Sequence, residues 1–298
     1  MDSRQVVAGI DGSPESMAAA HWAAREARGR DASLRLVHAW QWQPHPAAYV
    51  PADTSQRQWA LDTLARAEDV VRAADPKLRI IGEQVAESAI TALLAAAEQA
   101  ELVVLGSRGL GSVAGFLLGS VSQGVVARSP RPVVLVRACE EAEGVPDATE
   151  SSKGLTGHRD VVLGLDVGHP CDELIEFAFD AARRRGVALH VVHAFSAPPG
   201  YVAQDTPARP AGPELLAERE RMVIAALRPW YEKFPELRVT ETVTEGRAAA
   251  ELVHAATGAG LVVVGRRTRN SRIGIRTGPV AHAVLHHAGC PVAVVPHD

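Results

Sequence analysis

The chain has 298 residues, 47% of them hydrophobic and 22% charged, which suits two globular domains of about 150 residues and excludes a disordered chain. A formal net charge of −4 gives no bulk electrostatic reason to expect a nucleic-acid partner. Three scattered cysteines, Cys139, Cys171 and Cys290, argue against a disulfide framework or a zinc site, and no apolar run approaches the roughly 18 residues of a membrane span.

The N-terminus "MDSRQVVAGIDG" carries no signal-peptide pattern, so the expected location is the cytoplasm, with no membrane partner. Its apolar run predicts a first strand at about 5–10, ending beside Asp11. "SPES" then supplies a Ser N-cap, Pro at the first helical position and an early Glu, opening a helix at about 14–29. Further strands are expected at about 34–40, 79–85, 102–106 and 133–137, and further helices near 56–74, 88–100 and 119–128. The runs "VVAGI", "LVVLG" and "PVVLV" are continuously apolar, as parallel strands covered on both faces require.

The same blocks return in the same order. "VVAGIDGSPES" (6–16) recurs as "VVLGLDVGHPC" (161–171), "LRLVHAW" (34–40) as "LHVVHAF" (189–195), "ELVVLGSRG" (101–109) as "GLVVVGRRT" (260–268), and "RPVVLVR" (131–137) as "CPVAVVP" (290–296). The chain is a duplication, with a first domain at 1–138, a polar linker at 139–158 and a second domain at 159–298. Strand–helix alternation predicts an α/β fold, a five-stranded doubly wound parallel sheet in each half, binding ligands beyond the carboxyl ends of its strands.

The segment "LVVLGSRGLGSVAGFLLGSVSQ" (102–123) places five glycines after the fourth strand. It is neither a P-loop, because no lysine is near, nor a dinucleotide fingerprint, because the glycines do not follow the first strand. Two readings stand. The glycines, the hydroxyls of Ser112, Ser120 and Ser122 and the helix start near Ser120 can cradle a phosphate; or the loop is flexible and its glycines only relieve turns. Asp11 can accept hydrogen bonds from a ribose or adenine amine, help hold Mg²⁺, or form a plain Asx turn, and Ala39 can lie against a flat base. His282 and His286 have a chelating spacing without a supporting motif, and no nucleophile–base–orienter triad is identifiable.

The spacing Gly106-x2-Gly109-x9-Gly119-Ser120, after an Asp-ended first strand, resembles the ATP-binding motif of universal stress proteins, and the whole chain is similar to their tandem actinobacterial members. The resemblance implies a Rossmann-like fold of the adenine-nucleotide α-hydrolase type, with ATP as ligand, with or without Mg²⁺. It implies that Gly9, Ile10 and Asp11 meet adenine and ribose, that Ala39 meets the base, and that Gly106, Ser107, Arg108, Gly109, Leu110, Gly111, Ser112, Gly119, Ser120, Val121 and Ser122 surround the phosphates. The matching second-half set is Gly164, Asp166, Ala194, Gly265, Arg266, Arg267, Gly278, Pro279 and Val280. There Thr268 replaces a motif glycine, Pro279 replaces the serine, and arginines appear at 266, 267, 269, 272 and 276. Either guanidinium groups stand in for lost backbone donors or the second site is degenerate.

The implied activity is nucleotide-dependent sensing or regulation in a stress response, through an unidentified protein partner. Slow Mg²⁺-dependent ATP hydrolysis or phosphotransfer and a scaffold without nucleotide are the alternatives; the missing lysine and base argue against rapid turnover. In the family the fifth strands pair across a dimer. "RPVVLVR" and "CPVAVVP" are accordingly expected to pair within the chain, with a homodimer of the tandem chain as a further expectation.

Overall fold

The computed structural model describes residues 4–40, 52–107, 118–138, 160–196, 212–268 and 277–298, with 52–57 described by backbone alone. Two compact units divide the chain, Met1–Thr149 and Glu150–Asp298. The linker expected at 139–158 lies outside the described residues.

The first unit runs β1 (Gln5–Gly9), α1 (Pro14–Gly29), β2 (Ser33–Ala39), α2 (Ala52–Ala74), β3 (Ile80–Val85), α3 (Ala89–Glu98), β4 (Leu102–Ser107), α4 (Ser120–Val126) and β5 (Val133–Arg137). Its strands lie in the order β3-β2-β1-β4-β5, every neighbouring pair parallel. Val6 faces Leu34 on one side and Leu102 on the other, so β1 and β4 sit at the centre, where the order reverses. Val6, Val7, Ala8, Leu102, Val103 and Val104 are fully buried, the signature of strands covered on both faces. Right-handed crossovers place α1 and α2 on one face and α3 and α4 on the other.

The second unit repeats this plan with β6 (Val161–Gly164), α5 (Asp172–Arg185), β7 (Leu189–Phe195), α6 (Pro213–Lys233), β8 (Val239–Glu245), α7 (Ala248–Ala255), β9 (Leu261–Arg267), α8 (Pro279–His287) and β10 (Val292–His297). Its parallel order is β8-β7-β6-β9-β10. Phe179 on α5, fully buried, meets Trp230, Tyr231 and Phe234 at 5.5–6.2 Å between ring centres, fixing α6 against α5.

Caps set the helix starts. Ser13 Oγ accepts from Ser16 N–H at 3.2 Å with Pro14 at the first position, as the sequence predicts. Ser88 caps α3 through Thr91 N–H, so that helix begins one residue later than expected. At α5 the cap is Cys171, whose sulfur accepts from Leu174 N–H at 3.4 Å and donates to Glu173 at 3.0 Å. The repeat alignment places Cys171 opposite Ser16; the structure places it opposite the cap Ser13. The loop from Asp166 to its cap is therefore three residues longer than the loop from Asp11 to Ser13.

Gly106, at the end of β4, is held to glycine by packing. A Cβ there would lie 2.6–2.8 Å from backbone atoms of Glu15 and Ser16 in the first turn of α1. Gly119, the N-cap of α4, has φ −60° and no atom of the described residues within 4 Å of a built Cβ.

Gly106→Ala is expected to destabilise the protein by about 1–3 kcal/mol in urea unfolding, since backbone must move, whereas Gly119→Ala should cost under about 1 kcal/mol. A neutral Gly106→Ala would contradict the close approach. Burial, then the Glu173 hydrogen bond, push the Cys171 thiol up to about 11. The native state thus holds the proton more tightly than the unfolded chain: this contribution is complete below pH 9.0 and is lost as pH rises through about 11. Cys171 should resist alkylation at about pH 8 in the native protein and label on unfolding, read by peptide mass spectrometry.

Candidate functional site

Each unit has a cavity beyond the carboxyl ends of its central strands, where the strand order reverses. In the first unit it measures about 240 Å³ among Gly9, Ile10 and Asp11 after β1, Ala39 at the end of β2, Gly106 at the end of β4, and Gly119 to Ser122 at the start of α4. Ala89 and Leu93 of α3 supply an apolar wall. Of the expected residues, Gly9, Ile10, Asp11, Ala39, Gly106, Gly119, Ser120, Val121 and Ser122 are brought together. Arg108, Gly109, Leu110, Gly111 and Ser112 lie outside the described residues.

Ser107 is not in the lining. Side chains alternate along a strand, so beside Gly106 it points elsewhere: it is buried and its hydroxyl donates to Val136 O at 3.3 Å.

The turn carrying Asp11 is an Asx turn. Asp11 Oδ1 accepts from Ser13 N–H at 3.0 Å and from Ser13 Oγ at 2.5 Å, and Gly12 supplies φ +81°. That geometry does not compete with ligand binding, because Asp11 is exposed and lines the cavity mouth. Ser122 is more committed: its hydroxyl donates to Gly106 O at 3.1 Å, tying α4 to β4. No side chain caps α4, so the N–H groups of Ser120, Val121 and Ser122 stand at its open end.

The motif glycines within the described residues do not owe their presence to positive φ. Among described glycines only Gly12, Gly186 and Gly258 have it. Gly106 is required by close approach, and Gly119 leaves open space beside the helix start.

The second cavity is larger, about 800 Å³. Gly164, Asp166, Ala194, Gly265, Arg267, Gly278, Pro279 and Val280 all line it, together with His169, His193, His282 and His297. The reason is local. Where Gly106 is closed in by α1 backbone, the atoms nearest a Cβ on Gly265 are the His297 ring at 2.7 Å and a Leu174 methyl. The longer loop before α5 leaves side chains, not backbone, at the strand end.

Arg266, also in the expected set, is buried and absent from the cavity lining, occupying the position equivalent to Ser107. Arg267 does face the cavity and pairs with Asp166 at 3.3 Å, beside a His169–Asp166 contact of the same length. Thr268 carries no backbone strain, since the only described non-glycine residue with positive φ is Asp31. Its N–H donates to His297 O and its hydroxyl to Asp298, extending the β9–β10 pairing. Arg269, Arg272 and Arg276 lie outside the described residues.

Two buried imidazoles support the strand ends. Nδ1 of His38 meets Ile10 O at 2.7 Å, and Nδ1 of His193 meets Leu165 O at 2.9 Å, each joining the second strand of its unit to the turn after the first. Sequence spacing matched these histidines without revealing that backbone contact. His282 and His286 lie 4.3 Å apart between ring centres, and no group of three metal-ligating residues occurs among the described residues.

The family model for the universal stress protein family matches residues 3–137 and 157–296. Universal stress protein Rv2005c of Mycobacterium tuberculosis is 37% identical, with 97% of this chain and 96% of that one covered. Universal stress protein Rv1996 of the same organism is 32% identical over 98% and 96%. The crystal structure of a universal stress protein from Archaeoglobus fulgidus has the same fold, with a TM-score of 0.72, 17% identity and full coverage of both chains. No helix among the described residues is long and apolar enough to cross a membrane. Two repeats of one α/β plan, each ending in a cavity over its strand switch point, and relatives matching from end to end, make the chain a tandem-domain member of the universal stress protein family.

Proposed function

We propose that the chain is an ATP-binding universal stress protein of the cytoplasm, acting as a nucleotide-dependent regulator through a protein partner. The observation that carries this reading is the open space at Gly119 and Gly278. Both are helix N-caps with φ −60°, and no atom of the described residues lies within 4 Å of a Cβ built on either. Glycine is an ordinary N-cap residue, and Gly212 has much the same φ and open space; what sets Gly119 and Gly278 apart is that each lines its unit's cavity at an uncapped helix start, where a small residue lets a phosphate approach. Asp11, Ala39 and the α3 wall suit the polar and flat parts of an adenosine.

Mg²⁺ fits as a passenger on the phosphates, since the first cavity offers two lining carboxylates, Asp11 and Glu15. It would neutralise phosphate charge. This chain's own residues then bind and orient: the α4 N–H groups take the phosphates, and Asp11, held by Ser13, takes hydroxyl or amine donors. Neither cavity has a lysine in its described lining, which favours a switch over a rapid phosphotransferase.

Mass spectrometry of the denatured purified protein should release an adenine nucleotide, and calorimetry with ATP should find two sites. Gly119→Val should abolish the first and Gly278→Val the second, each leaving the fold intact by circular dichroism. Pro279 lacks the N–H and hydroxyl that Ser120 offers, so the second site should be about tenfold weaker near pH 8. It should also show the steeper salt dependence, because Arg267 carries more of its binding. Unaltered ATP binding in both valine variants would remove the assignment.

A further inference from the structure

The second cavity differs from the first in the chemistry of its lining. His282 stands on α8 where the first half has Gln123, and His297 is the last residue of β10, where the first half has Ala138 just past β5. Both histidines line the second cavity, and neither counterpart lines the first. His297 is placed over the strand end: its Nδ1 lies 3.0 Å from Asp298 O, and its Nε2 stands 2.7 Å from where a Gly265 side chain would begin.

The permanent charges around this cavity do not favour a phosphate. Arg267 is answered by Asp166, which His169 also contacts. Glu173 and Asp298 flank His297; the carboxyl of Glu173 is held below its ordinary value first by the Cys171 hydrogen bond and also by His297. His193 is buried with Nδ1 on Leu165 O, His286 lies tilted against His282, and α7 contributes only the apolar Ala248 and Leu252 to the described lining. Among the described lining residues the one arginine is thus matched by one carboxylate, Glu173 and Asp298 stand beside His297, and Pro279 has removed a backbone donor from the helix start. A polyphosphate finds no net positive charge among these lining residues until more appears, and the titratable groups of the described lining that can supply it are imidazoles.

We propose that His282 and His297, with Arg267, form the phosphate-holding side of the second cavity and hold an anionic ligand in their protonated form, so that binding there takes up protons. An imidazolium N–H is a charge-assisted donor to phosphate oxygen and replaces the neutral donors the first site draws from Gly119-Ser120. The proposal rests on reading the second cavity as a nucleotide site, and the two halves of one chain become nucleotide sites of different pH response.

The test is calorimetry on two full-length variants, Gly119→Val, which leaves the second site, and Gly278→Val, which leaves the first. ATP is titrated at about pH 6 and about pH 8, at fixed ionic strength, in two buffers of different ionisation enthalpy. The titration of ATP itself is common to both variants and cancels in their comparison. The second site should tighten about tenfold more than the first on acidification and take up about one more proton. Adding His282→Gln and His297→Ala, the first half's residues, to Gly119→Val should remove the difference in pH dependence. His282→Gln alone, at an exposed helix position, should remove part of it even where the double change impairs folding. Equal pH dependence at the two sites, or a difference that survives both histidine changes, overturns this proposal alone. No ATP binding to Gly119→Val at either pH overturns the nucleotide reading of the second cavity and this proposal with it.

Discussion

The contact on which the first site depends is between two backbones. β4 ends against the opening turn of α1 so closely that a Cβ on Gly106 would lie 2.6 Å from Glu15 C. That approach goes with an α1 that starts three residues after Asp11, with Ser13 as cap and Pro14 as first helical residue. It sets the small volume of the first cavity and holds Asp11 beside the strand end. Ser122 completes the frame by tying α4 to the carbonyl of Gly106. Three of the cavity's walls therefore meet at one peptide.

In the second unit the same peptide has different neighbours. Three extra loop residues before the Cys171 cap replace helix backbone at Gly265 with the His297 ring and a Leu174 methyl. A wall that is backbone in one half is side chain in the other, so its chemistry is open to change by substitution. The duplication thus preserved the strand switch point and the helix N-cap glycines while freeing the surface between them. The imidazoles and Arg267 occupy that freed surface.

The fold was legible because its signals are repeated and redundant. Continuously apolar strands, capped helices and four recurring blocks each lead to the same parallel sheet, and strand bounds fall within a residue or so of expectation. The sites were legible where a residue's placement follows from its strand, as for Asp11, Ala39, Gly106 and Gly119. The resemblance placed Ser107 and Arg266 with the site; each follows a lining glycine, and by strand alternation each is buried away from the cavity lining. Thr268 stands where the motif has glycine without needing a positive φ, and its N–H pairs with His297 O. His297 and His169 had no sequence signal, because their places depend on a loop-length difference that the repeat alignment absorbed without a gap.

That loop difference also bears on how a tandem chain differs from two copies of one domain. Identical sites would report one quantity twice. Here the neutral donors of Ser120 give way to Pro279, and the lost hydrogen bonds, worth about 0.5–1.5 kcal/mol each, are comparable with what a single charge-assisted contact restores. The balance at the second site therefore turns on the charge state of a few side chains, while the first depends on helix N–H groups that do not titrate. On the proposed reading, a small change in solution conditions would act on one half of the molecule and leave the other as a fixed reference.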